Sequence, residues 1–173
     1  MAVLRAFVFR EHRVLVLLSV AYLLLGALRL NDLSLYTDST RYVIWGTSFA
    51  HANGFVDETQ PEPERYVVNA PFFSVLLSPV LLFFPYSLLA GKIWTLLLGT
   101  LFILAFYSLL RQFFDKTIAI MGIIPIVFNP LLLLLSTEVL SETSFLGGVA
   151  WCFLLLERLE AGERIGPLRR DVL

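Results

Sequence analysis

Two short acidic segments stand out from an otherwise apolar sequence. In residues 36–39, Asp38 follows a tyrosine and a threonine, and residues 136–142 carry Glu138 and Glu142 between two apolar runs. A carboxylate beside hydrocarbon is costly to keep, so its presence there indicates a function. Two such carboxylates that converge could hold a divalent cation, polarise a hydroxyl group or act as a general base.

Structural roles compete with these chemical ones. Asp38 can serve as the N-cap of a helix, which is worth about 1 kcal/mol. Glu142 can cap the next helix or interact favourably with its dipole. Glu138 has the character of an ordinary loop acid. Lys92 lies inside an apolar run, where we expect its ammonium group to reach an interface or to face a lipid phosphate.

The remaining polar residues form no further catalytic or metal-binding pattern. The sequence contains no Gly-x-Gly-x-x-Gly fingerprint and no phosphate-binding loop, and the separation of His12 and His51 does not suit a pair of metal ligands. The net charge of −1 provides no basic excess, which excludes nucleic acid as the expected partner.

The composition predicts a membrane protein. Hydrophobic residues make up 58% of the chain and charged residues 16%, with a mean hydropathy of +0.80. Soluble domains are about 45–50% apolar and about 25% charged. One soluble core of this size could not bury so much apolar surface. We therefore expect an all-α fold, a polytopic bundle of transmembrane helices that forms a single membrane domain over residues 1–173.

Five apolar runs are candidates for the membrane helices. They cover residues 14–28, 70–84, 88–110, 117–135 and 143–156. The second run is shorter than the roughly 20 residues that cross a bilayer, and it is punctuated by prolines. We expect it to be re-entrant or interfacial, which leaves about four spans. In the rival layout this run crosses, and the run at 117–135, with Pro125 and Pro130, is re-entrant.

The distribution of arginines predicts the orientation. Arg5, Arg10 and Arg13 precede the first run, further arginines follow the last one, and Lys and Arg collect on the cytoplasmic side. We expect a multi-pass protein of the inner (plasma) membrane with a cytoplasmic N-terminus. The loop 31–69 is then external, and the amphipathic helix that follows Asp38 lies on the membrane surface. Both acidic segments share the outer side.

Taken in order, these segments resemble the N-terminal part of the GT-C membrane glycosyltransferases, and more narrowly the bacterial relatives of protein O-mannosyltransferases and aminoarabinose transferases. Residues 36–46 resemble the acidic motif of the family's first external loop. Residues 49–55 resemble the end of its surface helix, and residues 69–79 the proline-marked element that follows. Residues 129–142 resemble the second external acidic motif.

The resemblance implies a function and roles for particular residues. The family transfers a sugar from a polyprenyl-phosphate donor to an acceptor at the outer face of the membrane, with inversion at the anomeric carbon. Asp38 would be the catalytic carboxylate and Glu142 its partner acid. A divalent cation, Mg²⁺ or Mn²⁺, shared by these two is the candidate cofactor. Arg41 and Arg65 are candidates for binding the donor phosphate. The implied partners are a lipid-linked sugar donor, membrane lipid and an acceptor.

Two differences from the family pattern accompany the resemblance. Residues 69–72 read Asn-Ala-Pro-Phe, where the family has Pro-Pro-Gly. Family members also continue with further membrane helices, so the resemblance implies that this chain corresponds to the front part of a transferase.

The alternative interpretation is a non-enzymatic membrane module, such as a transporter fragment or an assembly subunit. Transporters carry polar residues near the middle of the membrane, whereas the acidic segments here are expected outside it, which favours the enzyme.

Overall fold

The computed structural model describes residues 2–32, 37–57, 59–62, 64–65 and 71–168. Within them, the side chains of residues 2–12, 64–65, 158 and 160–168 lie outside the description. The described chain is almost entirely helical, as predicted. Its helices are α1 (Ala2–Ala27), α2 (Thr37–Ala50), α3 (Phe72–Leu81), α4 (Leu88–Phe113), α5 (Lys116–Val127), α6 (Pro130–Thr137) and α7 (Ser141–Leu168). Two short strands, β1 (Val56–Asp57) and β2 (Glu64–Arg65), pair antiparallel between α2 and α3.

Helix α4 is the centre of the fold. It has 26 residues and is therefore about 39 Å long. Its start is defined by Ser87, whose hydroxyl accepts a hydrogen bond from the backbone N–H of Ala90, and its end by Phe114, where the backbone becomes extended. Helices α1, α3, α5, α6 and α7 all pack against it.

Close approaches at α4 show the directions of its neighbours. Gly26 of α1 lies against Leu96, and Tyr22, one turn earlier in α1, lies against Gly99 one turn later in α4. Helix α1 therefore runs antiparallel to α4. Helix α5 follows α4 after a two-residue turn and runs back along it.

Helix α7 runs in the same direction as α4. Thr143 of α7 lies beside Gly99, and Gly147 lies beside Phe102. The end of α1 and the starts of α4 and α7 therefore lie at the same end of the bundle, which we call the acidic end because it holds Asp38, Glu138 and Glu142.

Of the helices in the described part of the chain, α4 alone is long and apolar enough to cross a membrane by itself. Helices α5 and α6 pass the same test together, but they meet at an angle of 62°. Asn129 causes the break: its side-chain oxygen accepts hydrogen bonds from the N–H groups of Leu131 and Leu132, and Pro130 is the first residue of α6. The run predicted at 117–135 is thus two helices rather than one.

Helix α3 accounts for the short run at 70–84. Its ten residues span about 15 Å, half the thickness of a bilayer core. It packs beside α4, where the indole N–H of Trp94 donates to the carbonyl of Leu76 at 2.8 Å. A span by this run alone, as in the rival layout, does not fit this length.

Helix α2 packs along α3. The rings of Tyr42 and Phe73 meet edge to face, with their centroids 4.9 Å apart, and Gly46 lies against Leu81. Tyr42 and Trp45 are buried, so the apolar stripe predicted to face the membrane surface is used largely for packing within the protein. The helix begins at Thr37, and Asp38 therefore lies inside its first turn rather than in the predicted N-cap position.

The tight crossing at Gly99 provides a test of this packing. A Cβ atom added there would lie 2.8 Å from both the Ser136 and the Tyr22 hydroxyl oxygens. We expect Gly99→Ala to destabilise the protein by about 1–3 kcal/mol through overpacking. Gly148→Ala is the matched control, because no atom lies within 4 Å of its added Cβ and alanine favours a helix. Unfolding in detergent micelles would measure both, and equal stability of the two variants would contradict this packing.

Candidate functional site

A long apolar groove runs along α7. Its volume is about 840 Å³, and its lining on α7 extends from Ser141 to Leu156. Leu156 follows Ser141 by fifteen residues, so this part of α7 is about 22 Å long. The opposite wall comes from Tyr42 of α2 and from the first turns of α3, including Phe72 and Phe73.

The polar groups of the groove on α7 gather at its acidic end. Glu142 lies there together with Ser141 and Ser144, and below them the α7 lining is apolar apart from Cys152. Glu142 is exposed and lies in the first turn of α7, where a negative charge is favoured by the helix dipole. The groove therefore has the polarity of an amphiphile, with one charged end and a long apolar body.

Asp38 lies on α2 close to this end. Its side chain is 49% exposed and forms an ion pair with Arg41, with 3.6 Å between Oδ1 and Nη1. Tyr42, four residues after Asp38, lines the groove, and residues at this spacing are neighbours on one helix face. The structure thus pairs Asp38 with Arg41 one helical turn before a residue of the groove, while Glu142 is part of the groove lining.

Arg65, the other predicted phosphate ligand, lies on strand β2, where its backbone pairs with that of Val56. Its side chain lies outside the described residues. The same hairpin holds Asp57, whose pKa is lowered because its carboxylate accepts a hydrogen bond from the hydroxyl of Thr59, and further ones from the Thr59 N–H and the Gln60 amide. The Asp57 carboxylate therefore accepts its hydrogen bonds from residues of its own turn.

The two acidic segments are in contact through residues that were not the predicted catalytic ones. Ser39, next to Asp38, donates a hydrogen bond to Glu138 Oε2 at 3.4 Å. Glu138 ends α6, and α7 begins three residues later. The first turn of α2 is therefore joined to the turn that leads to Glu142.

Glu138 also pairs with Lys92, and both side chains are only 3% exposed. The Lys92 ammonium lies 3.8 Å from Glu138 Oε1 and donates to the backbone carbonyl of Asp32 at 2.7 Å. The expectations that Lys92 reaches an interface and that Glu138 is an ordinary loop acid are therefore wrong. The α1–α2 connection and the α6–α7 turn cover the start of α4, so neither charge is solvated.

This pair was not predicted from the sequence, although a signal existed. A lysine within one apolar run and an acid between two others are each expensive to bury alone. Opposite charges of this kind are expected to pair, but nothing in the sequence shows that the first turn of α4 meets the α6–α7 turn.

A hydrogen-bonded chain lies beneath the pair. The Tyr22 hydroxyl hydrogen-bonds the Ser136 hydroxyl, which lies 3.3 Å from the hydroxyl of Thr143. All three residues are buried, and they connect α1, α6 and α7. Ser136 thus acts in packing, and the polar character of residues 136–142 is only partly available to a ligand.

The predicted metal site has no complete ligand set in this arrangement. Among the described residues, no group of three or more His, Cys, Asp or Glu side chains is placed to hold a metal ion. The Asp38 carboxylate faces the Arg41 guanidinium instead. A divalent cation on Asp38 and Glu142 stays a prediction, and the reaction proposed below does not depend on it.

Comparisons of the chain with protein-family models, with curated proteins and with solved structures found no match. The groove, the acidic end and the sequence motifs are therefore the features from which a function is inferred.

The buried pair and the exposed pair are expected to differ in their effect on stability. Lys92→Met leaves a buried carboxylate without its cation, which costs about 3–5 kcal/mol, whereas the double variant Lys92→Met/Glu138→Leu should recover most of this loss. Arg41→Ala, which breaks the exposed pair, should cost no more than about 1 kcal/mol. Denaturation in micelles would measure all three. A Lys92→Met loss as small as that of Arg41→Ala would show that the pair is not buried.

Proposed function

We propose that this chain belongs to an integral membrane glycosyltransferase of the GT-C type. It transfers a sugar from a polyprenyl-phosphate donor to an acceptor at the outer face of the inner membrane. The observation that carries the proposal is the groove along α7, which is about 22 Å long, has a carboxylate at one end and is mainly apolar beyond it.

The apolar surface of the helices supports insertion into a membrane. Large apolar side chains on α4 and α7 are exposed, and their exposed fractions range from 37% to 69%. They include Leu89, Ile93, Leu97, Leu101, Phe145, Val149, Trp151, Phe153 and Leu155. A soluble monomer rarely exposes such continuous apolar surface. In this proposal α1, α4, the bent pair α5–α6 and α7 cross the membrane, and α3 does not.

The helix directions fit this topology. With α1 and α5–α6 running one way and α4 and α7 the other, four crossings place the acidic end on one side. The arginines of residues 2–13 lie at the opposite end of α1, and positive residues favour the cytoplasm. The acidic end then faces outward, where a lipid-linked sugar would be used.

The chemistry assigned to the acidic end is an inverting displacement. The Asp38 carboxylate accepts a proton from the acceptor hydroxyl, and that oxygen attacks the anomeric carbon. The bond between this carbon and the phosphate oxygen breaks, and polyprenyl phosphate leaves with the electron pair. Arg41, which is paired with Asp38, would stabilise the phosphate. Glu142 lies at the groove, where it would orient the sugar.

The single cysteine of the chain provides a direct test of lipid binding. Cys152 lines the groove and is exposed. We expect undecaprenyl phosphate at about ten times its Kd to slow the labelling of Cys152 by a membrane-permeant maleimide about tenfold, because only about a tenth of the grooves remain empty. Labelling in micelles, followed by mass spectrometry, measures this rate.

Two variants control this labelling test. Val149→Trp places a large ring in the groove lining and should abolish the protection. Leu97→Trp adds the same ring to an exposed position of α4 outside the groove lining and should leave it intact. Equal protection by a simple alkane such as hexadecane would show that the groove does not select a polyprenyl phosphate.

The catalytic assignment is tested by Asp38→Asn. The amide keeps the size of the side chain but cannot accept the acceptor proton, so we expect a loss of about 10²–10⁴-fold in transfer. Membrane insertion and Cys152 protection should stay unchanged, because Asp38 is half exposed and does not line the groove. Transfer is measured as the release of polyprenyl phosphate from a polyprenyl-phosphate sugar. Full activity of this variant would rule out Asp38 as the base.

A non-enzymatic membrane module is the second candidate, and the buried polar contacts between helices favour it. The chain of hydroxyls from Tyr22 to Thr143 and the Lys92–Glu138 pair lie inside the bundle, as polar groups do in transporters. Lipid binding at the groove without any release of polyprenyl phosphate by the unaltered protein would support this candidate.

A further inference from the structure

We propose that Lys92 and Glu138 are positioning residues that hold Asp38 and Glu142 in register with one another. This inference rests on the proposed function, because it concerns how that site is assembled. Neither residue lines the groove, so the pair acts through the segments it joins.

The Lys92 ammonium is the point where three segments of the acidic end meet. It belongs to the second turn of α4 and donates to the carbonyl of Asp32, which lies in the connection between α1 and α2. It also faces Glu138, which lies between α6 and α7. Because Glu138 accepts a hydrogen bond from Ser39, the first turn of α2 is included in the same cluster.

The neighbouring backbone is shaped for the same junction. Gly91 immediately precedes Lys92, and a Cβ atom added there would lie 3.0 Å from a methyl group of Val139 and 3.3 Å from one of Val43. The α6–α7 turn and α2 therefore both approach α4 at this glycine. Packing and charge pairing bring the same two segments to the same turn of α4.

The position of the pair explains why it would matter for the site. Ser39 is adjacent to Asp38, and Glu142 follows Glu138 by four residues. Elsewhere α2 is held chiefly by α3, through Tyr42 and residues closer to its C-terminal end. The contact with Glu138 is therefore the polar link, beside the packing at Gly91, that sets the first turn of α2 relative to α7.

A buried ion pair is a poor means of gaining stability, because apolar residues of similar volume often serve as well. Its advantage is a defined geometry between the groups that it joins. An error of about 1 Å in the placement of reacting groups can cost about 10²-fold in rate. A rigid link at this junction would thus contribute to the rate rather than to folding alone.

The experiment measures the distance between α2 and α7 by pulsed electron paramagnetic resonance. One spin label is attached to the native Cys152 and the other to Thr40→Cys, an exposed position of α2. The full chain is used in lipid nanodiscs. We expect a narrow distance distribution in the parent, and a broadened and shifted one in Lys92→Met/Glu138→Leu, which has no unpaired buried charge. The single variant Lys92→Arg, which keeps the positive charge, should have a distance distribution as narrow as that of the parent.

The second measurement is the steady-state rate of sugar transfer by the double variant without spin labels. We expect kcat to fall about 10²-fold with little change in the KM for the donor, because the groove itself is unaltered. An unchanged distance distribution together with unchanged kcat would overturn the proposal and leave the pair with a role in folding only.

A further variant covers the case in which the double variant does not fold. Ser39→Ala removes only the hydroxyl contact to Glu138 and keeps the ion pair. We expect it to broaden the distance distribution while the protein stays folded, and a distribution as narrow as that of the parent would count against the link. The distance measurement needs no donor, so its result is independent of the proposed function. That function fails separately if undecaprenyl phosphate does not protect Cys152 in the parent protein.

Discussion

The enclosure of the Lys92 ammonium is the constraint on which the acidic end of this protein depends. A cation that is 3% exposed needs compensation from its surroundings, since burying an unmatched charge is prohibitively costly. Here the compensation comes from a backbone carbonyl of the α1–α2 connection and from the Glu138 carboxylate. Both groups can reach it only if the segments that carry them close over the start of α4. The arrangement of the α1–α2 connection and of the α6–α7 turn follows from that requirement.

The two ends of the proposed site differ in what holds them. The groove depends on apolar packing between helices, with Tyr42 against Phe73 and α7 against α4, and such surfaces tolerate changes of similar volume. The acidic end depends on a few polar contacts between segments that are distant in the sequence, and these contacts are specific in direction and partner. Binding of a lipid tail needs only an apolar surface of suitable shape, whereas proton transfer needs a carboxylate oxygen within hydrogen-bonding distance of the acceptor hydroxyl. The structure divides these tasks between packing and polar contacts.

Much of the helical architecture was predictable because local signals define it. The run at 88–110 became α4 with the same start. The run at 117–135 was predicted as one segment, although Asn129 and Pro130 carry the local signal for the break between α5 and α6. The helix after Asp38 was also found, although its first turn includes Asp38 itself. Prediction was poorer for residues whose burial depends on a neighbouring helix. Tyr42 and Trp45 form a stripe that suits either lipid or protein, and only the presence of α3 settles that they are buried.

The sequence by itself determined which residues are apolar, where helices such as α4 begin, and that the carboxylates lie between the apolar runs. These properties follow from hydropathy, proline and capping side chains, which act over a few residues. Only the tertiary structure decided that Lys92 meets Glu138, that Ser39 joins them, and that Glu142 opens onto a groove. Such contacts depend on how helices pack at a distance along the chain, and composition and periodicity carry no information about which partners will meet.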